Sequence, residues 1–273
     1  PTPNRKIVRK LIGLAAAFGR FDVVADQVQR EFDQIDIENW SDSIEPFTEL
    51  IAEIRKHDDA WEKLKQLKLS DKRRMPIGAF TGYFGPNVFR LARDGKQSDS
   101  KRVLAIRYLA LSEMLTRERA TALTTELNAQ NSPKIQTAIV EALGQSRDSQ
   151  IPSLLLSRWA VLTPSIREQI VDTLLRRSGW TSHLLDAIGV GELANNQLDA
   201  AQRERLVTHR DAQIRERAVK LFDVEAVSDR QAVVADFNPA LSLSGDDTRG
   251  RVVFEKRCSS CHRLRGIGKS IGA

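Results

Sequence analysis

The sequence predicts an all-α fold, and two observations support that prediction. First, 41% of the 273 residues are hydrophobic, 29% are charged and 6% are aromatic, with Leu, Ala, Ile, Arg and Glu prominent. This balance favours helices over sheets. Second, apolar residues recur at the spacing of a helix face along most of the chain. A chain of this length and composition has enough apolar side chains for a sizeable core.

Before residue 98, amphipathic segments predict helices that begin the array, at 5–18, 23–32, 44–55 and 61–69. The stretch 75–86 differs because it contains several residues that favour turns: Pro76, Gly78, Gly82, Gly85 and Pro86. We therefore expect a loop or sharp turn there, which interrupts the helices and offers a surface for contacts.

Later segments resemble one another, which indicates an internal repeat, at 98–112, 132–146, 163–178 and 211–222. In two of them a capping residue precedes a proline, as is typical of a helix start. Matching apolar positions lie roughly 31 to 33 residues apart in the first three segments and about 48 residues apart at the fourth. A second helix is predicted in each unit, at 116–127, 151–162 and 181–188.

This arrangement resembles the α-solenoids of the HEAT and armadillo type, in which stacking of helix pairs builds the core. The resemblance covers residues 98–222. An irregular helical bundle would show the same amphipathic pattern without regular stacking and is the alternative. We predict a helical repeat domain over 1–239 and, past Pro239, a distinct segment over 240–273 with a short helix at 248–256.

The charge balance predicts a basic surface. The formal net charge is +6 and the isoelectric point is about 9.5, which suits nucleic acid, anionic lipid or an acidic protein as partner. No platform of alternating aromatic and basic residues occurs, so no nucleic-acid partner is expected. The best apolar run, 11–18, is far shorter than the roughly 20 residues that cross a bilayer, so no transmembrane segment is predicted. Because the chain opens with Pro1 and no signal pattern, we expect a processed protein or an excised piece.

The chain contains two cysteines, and both belong to the motif Cys258-Ser259-Ser260-Cys261-His262. Two thiols at this spacing can add to the vinyl groups on one side of a porphyrin, and an imidazole directly after the second reaches the iron from the same turn. Two randomly placed cysteines would fall at this spacing only about one time in a hundred. The motif therefore predicts covalent heme c on Cys258 and Cys261, with His262 as the metal ligand.

Other uses of a cysteine pair have weaker support in this sequence. A zinc site needs two more ligands, but no second cysteine pair exists, and His57, His183 and His209 are isolated in helical stretches. A thioredoxin-like redox pair needs a βαβ context, which the helical pattern lacks. A disulfide across so short a loop would stabilise the fold little.

The run from Gly245 to Leu264 resembles the opening of a class I cytochrome c. In that family, Gly250 would let two helices cross closely and Phe254 would pack beside the heme. The glycine-rich stretch that follows the proximal histidine is matched by Gly266, Gly268 and Gly272. The resemblance implies that a class I cytochrome c domain starts here.

Together with the helical repeats and the segments 202–206 and 214–218, the motif resembles a narrower family, the heme-binding domain of the planctomycete and verrucomicrobial type. The resemblance implies a module that closes a larger polypeptide, whose front part is similar to a sugar-dehydrogenase β-propeller that is not present here. Members usually continue with Gly-Pro and a methionine as sixth ligand, whereas this chain has Gly272-Ala273 and stops. We therefore expect truncation within the cytochrome domain, and structural roles for Met75 and Met114.

The resemblance implies an electron carrier rather than an enzyme, which relays electrons from an attached or partner dehydrogenase. Covalent heme of this kind implies the periplasm or the outer cell surface. Basic residues near the motif are expected either to steer an acidic redox partner or to form a solvated helix face: Arg249, Arg251, Lys256, Arg257, Arg263, Arg265 and Lys269. The alternative function is a helical-repeat scaffold for protein interactions, without bound heme.

Overall fold

A computed structural model of the chain describes residues 5–33, 40–57, 59–66, 77–222, 234–259 and 262–268. Within these ranges almost all regular structure is helical, which confirms the predicted all-α class. The chain divides into two compact units, Pro1–Leu221 and Phe222–Ala273, so the boundary predicted near Pro239 lies inside the second unit. None of the described helices is long and apolar enough to span a membrane.

The first unit is built from helices that alternate with short turns in its described parts. In chain order they are α1 (Arg5–Ala17), α2 (Phe21–Asp33), α3 (Trp40–Ile54), α4 (Ala60–Gln66), α5 (Ile77–Arg93), α6 (Asp99–Leu111), α7 (Arg117–Thr124), α8 (Pro133–Gln145), α9 (Ile151–Leu156), α10 (Pro164–Leu174), α11 (Ser178–Gly189), α12 (Ala200–Val207) and α13 (Ala212–Phe222). Short 3-10 helices occur at Trp159–Val161 and Asn195–Gln197.

The helices of the first unit pack in two rows. In the first row α1, α3, α6, α8 and α10 contact one another in succession, and in the second row α7 contacts α9, which contacts α11. Equivalent core positions recur along the first row, where Ile106, Ile139 and Ile170 are fully buried. The two steps between them are about 33 and 31 residues, which agrees with the predicted repeat. These helices therefore bury apolar side chains against their neighbours in the row.

Polar contacts between neighbouring pairs follow the same period. Arg117 forms an ion pair with Asp148 at 2.8 Å, across a step of 31 residues. Arg158 Nε donates to the carbonyl oxygen of Leu127 at 3.3 Å, also across 31 residues. An exposed ion pair contributes only about 0–1 kcal/mol to stability. These contacts therefore fix the register between neighbouring helix pairs more than they stabilise the fold.

Helix starts agree with the capping residues of the sequence. Ser98, Thr116 and Ser132 each accept a hydrogen bond from a backbone N–H at the start of the following helix. Thr163 precedes α10, but its hydroxyl lies 3.2 Å from Ser165 Oγ and does not cap the backbone. The caps satisfy amide donors that the first turn of a helix leaves free.

The fourth helix pair differs from the prediction. The segment 211–222 was expected to be equivalent to the first-row helices, but α13 is joined to the second-row helix α11 by an ion pair between Arg217 and Asp186. The first-row place belongs to α12, whose Gln202 Nε2 donates to Asp172 of α10 at 3.3 Å. α12 contributes one large, fully buried apolar side chain, Leu206, so its apolar stripe is weak. The offset of about 48 residues thus arose from matching helices of different rows.

The prediction of a loop over 75–86 is wrong for residues 77–86, because they form the first part of α5. Pro86 lies inside this helix and cannot donate a backbone hydrogen bond. The helix continues past it, and Val88 and Ala92 are fully buried two and six residues later. Burial of this face outweighs the local preference for a turn.

The glycines of α5 lie where other groups approach closely. A Cβ at Gly85 would be 2.9 Å from a guanidinium nitrogen of Arg119, and a Cβ at Gly82 would be 3.7 Å from Met114 Sδ. Glycine therefore leaves room for the Arg119 guanidinium at position 85, whereas a Cβ at Gly82 would make an ordinary van der Waals contact. Met114 fills a gap between segments, which agrees with its expected structural role.

The close approach of α8 and α10 gives a test of the stacking. A Cβ at Gly144 would be 2.9 Å from Cγ2 of the buried Thr173. We expect Gly144→Ala to lower the free energy of unfolding by about 1 kcal/mol, because overpacking outweighs the gain in helix propensity. In a Thr173→Ser background, which removes Cγ2, we expect Gly144→Ala to raise the free energy of unfolding by about 1 kcal/mol. Urea unfolding measures both, and equal effects in the two backgrounds would contradict this contact.

The second unit contains a 3-10 helix at Asn238–Ser242, helix α14 (Asp247–Arg257) and a hairpin of strands β1 (Arg263–Leu264) and β2 (Ile267–Gly268). α14 confirms the short helix predicted at 248–256. The hairpin was not predicted from the sequence. It follows the cysteine motif directly.

Candidate functional site

α14 leads directly into the cysteine motif. At its start, Asp246 Oδ1 accepts a hydrogen bond from the backbone N–H of Arg249 at 2.9 Å. At its end, the N–H groups of Cys258 and Ser259 both donate to the carbonyl oxygen of Phe254, at 2.9 and 3.0 Å. The second of these bonds spans five residues instead of the four of an α-helix, and the helix ends with Cys258 as its C-cap.

Cys258 and His262 lie in one tight turn. The backbone N–H of His262 donates to the carbonyl oxygen of Cys258 at 2.9 Å. Cys258 is a half-buried free thiol, and His262 is exposed. Cys261 lies outside the described residues, as do Met75 and Lys269, so its place in the site stays a prediction.

The hairpin after His262 turns the chain back toward the motif. Arg263 pairs with Gly268 and Leu264 pairs with Ile267 in antiparallel register. The two turn residues, Arg265 and Gly266, have φ values of 48° and 85°. Positive φ at both positions is typical of the two-residue turn that matches strand twist, and glycine at the second position is its usual sequence signal. That signal was present in the sequence, but two strands of two residues are too short to show alternation.

Gly268 brings the hairpin against the backbone of the cysteine motif. A Cβ at this position would overlap with the carbonyl oxygen of His262 and would lie 2.9 Å from the carbonyl oxygen of Ser259. Its φ of 92° also lies in the region that residues with a side chain rarely adopt. Only glycine therefore allows the hairpin to close on the turn that holds Cys258 and His262.

Apolar side chains near the motif are uncovered. On α14, Val252 and Val253 are 45% and 53% exposed, and Leu264 on β1 is 56% exposed. α14 has no buried residue at all. Exposed apolar side chains are available to contact an apolar group. The free thiol of Cys258 and the exposed His262 are likewise accessible to a bound group.

The basic residues around the motif are exposed. Among the described residues of this set, Arg251 alone is ion-paired, with Glu255 at 2.9 Å. The others present their charges to solvent: Arg249, Lys256, Arg257, Arg263 and Arg265. The surface beside the motif is therefore strongly positive, which attracts anions and acidic proteins.

No group of three or more His, Cys, Asp or Glu side chains that could hold a metal ion occurs in the part of the chain that the structure describes. Comparisons with protein-family models, with curated proteins and with solved structures found no match.

Proposed function

We propose that the chain is an electron-transfer module that carries one covalent heme c. Cys258 and Cys261 would form the two thioether bonds, and His262 would be the proximal ligand of the iron. The observation that carries the proposal is the motif at the end of α14, with Cys258 and His262 in a single hydrogen-bonded turn. The chain itself is proposed to carry electrons and not to transform a substrate.

When bound, the heme supplies reversible one-electron chemistry at iron. The chain orients this group through its own residues. The C-cap of α14 presents the Cys258 thiol, and the hairpin closed by Gly268 restrains the backbone around His262. Val252, Val253 and Leu264 offer apolar contacts that would exclude water from part of the porphyrin.

The second unit is proposed to begin a class I cytochrome c domain of the planctomycete and verrucomicrobial heme-binding type. The first unit is proposed to be a HEAT-like repeat array, which the two rows of helices and the step of about 31 residues between contacts support. Covalent heme attachment makes the periplasm or the outer cell surface the proposed location. The exposed basic residues beside the motif would steer an attached or partner dehydrogenase with an acidic surface.

The proposal predicts a c-type visible spectrum. When the chain is exported to a bacterial periplasm with a heme-attachment system, we expect a mass increase of one heme group and a reduced-minus-oxidised spectrum of a c-type heme. We expect Cys258→Ala and Cys261→Ala each to abolish the spectrum of a heme with two thioether bonds, because each removes one bond to the porphyrin. Mass spectrometry and a pyridine hemochrome assay measure both effects.

His57→Ala provides a matched control, since this histidine belongs to the first unit, and its spectrum should equal that of the unchanged chain. A colourless, well-folded protein in this assay would contradict the heme proposal. It would leave the second candidate function, a helical-repeat interaction scaffold, which the stacked rows of the first unit favour.

A further inference from the structure

A groove runs between α9 and α11 on the second row of helices, and we call it the α9–α11 groove. Its α11 wall is formed by residues spaced three or four apart: Trp180, His183, Ala187 and Val190. Its other wall is formed by residues in and around α9: Ser149, Ser153, Leu156 and Ser157. Residues at this spacing share one helix face, so the groove follows the axes of both helices. Two open clefts of about 530 and 600 Å³ form its halves and meet at His183.

The first half of the groove is basic and is held rigidly. The Arg177 guanidinium stacks on Trp180, 4.3 Å from the ring centre. It also donates to the carbonyl oxygens of Gly144, at 3.0 Å, and Ser146. Arg147 lines the same half and is exposed. The carbonyl contacts fix the geometry of Arg177 but do not neutralise its charge.

The positive charge in this half has no counter-ion in the part of the chain that the structure describes. Burial lowers the pKa of Arg177, and repulsion from Arg147 and Arg176 lowers it further. Two other arginines of the array do have a counter-ion, since Arg117 and Arg217 each pair with a carboxylate of a neighbouring helix pair. A bound anion would relieve the repulsion among the three unpaired arginines.

The second half of the groove is lined by apolar side chains, two serines and two acidic residues, Glu192 and Asp186, of which Asp186 pairs with Arg217. Val190 is 72% exposed, and Leu156 and Ala160 line the groove near it. Glu192 lies at the same end and is exposed. An exposed large apolar side chain beside an open cleft marks a surface that binds an apolar group.

We propose that the α9–α11 groove binds a peptide segment of a partner protein, with acidic side chains at Arg147 and Arg177 and an apolar side chain at Val190. The two halves differ in chemistry, and a ligand must match both. A phosphate polymer carries negative charge along its whole length, so it would meet Glu192 and an apolar wall in the second half. A peptide with one acidic and one apolar end satisfies each half, and this binding is independent of heme at Cys258.

The test uses the full chain and a short fluorescein-labelled peptide with a glutamate-rich half and a leucine-rich half. We expect saturable binding by fluorescence anisotropy, and weaker binding as salt rises. Arg147→Glu is expected to weaken binding about tenfold, because it replaces an attractive charge with a repulsive one. Val190→Ser is expected to weaken binding about fivefold, because less apolar surface is buried.

The control variant Arg107→Glu changes the same kind of charge on an exposed part of α6, outside the groove, and should bind like the unchanged chain. The control peptide has glutamine in place of glutamate and should bind more weakly. Absence of saturable binding to the glutamate–leucine peptide would overturn the proposal. The proposal would also be overturned if single-stranded DNA or polyphosphate bound more tightly than the peptide and if Val190→Ser left that binding unchanged. Thermal unfolding of each variant, compared with the unchanged chain, separates loss of binding from loss of folding.

Discussion

Replacing Arg102 with methionine is expected to lower the free energy of unfolding by about 2–4 kcal/mol, among the largest effects that a single substitution in the first unit should have. The Arg102 side chain is 6% exposed, and it joins three segments of the array. Its guanidinium donates to the carbonyl oxygen of Ala92 at 3.1 Å, to Asn131 Oδ1 at 2.7 Å and to Glu126 Oε2 at 3.3 Å. Methionine keeps an unbranched apolar stem but leaves these acceptors without the guanidinium donor.

The expected cost is below that of an isolated buried ion pair because Glu126 keeps a second partner, Arg93, at 3.2 Å. Arg107→Met on the same helix is the matched control, since Arg107 is exposed, and it should change stability by less than about 0.5 kcal/mol. Urea unfolding gives both values when it is followed by far-UV circular dichroism, which reports helix content. Similar effects of the two substitutions would show that the Arg102 contacts do not stabilise the array.

The second large effect is expected from Gly268→Ala, which should reduce the yield of covalent heme about tenfold. The substitution places a Cβ against the carbonyl oxygens of His262 and Ser259, and it also places a side chain at a φ of 92°. Backbone strain of this kind costs about 1–3 kcal/mol before the overlap is counted. The hairpin would open, and the turn that holds Cys258 and His262 would lose its restraint. Heme yield per protein is measured by the hemochrome assay after periplasmic expression.

Two further glycine substitutions separate the causes of this effect. Gly245→Ala is the control, since a Cβ there meets nothing within 4 Å and its φ is not positive, so heme yield should not change. Gly266→Ala introduces a side chain at a φ of 85° without any overlap, so its effect should be intermediate. Equal yields for Gly268→Ala and Gly245→Ala would contradict a role for the hairpin in heme attachment.

The helix pairs from α6 to α11 could be predicted from the sequence because apolar residues of α6, α8 and α10 recur at the spacing of a helix face, and capping residues precede α6 and α8. Ser98 and Ser132 mark such starts, and Ile106, Ile139 and Ile170 show the period. α12 was missed because its burial depends on one leucine and on the amide of Gln202, which donates to α10. A hydrogen bond between helices leaves no periodic signal in the chain.

By itself, the sequence determined the all-α class, the approximate repeat and the cysteine motif, because these depend on residue type and on spacing along the chain. Only the tertiary structure decided that Gly82 and Gly85 belong to a helix, in which Gly85 lies against the Arg119 guanidinium of a later segment. It also decided that Gly268 must lie against the carbonyl oxygen of His262. Close approach between distant residues is a property of packing, and local propensity cannot encode which groups will meet.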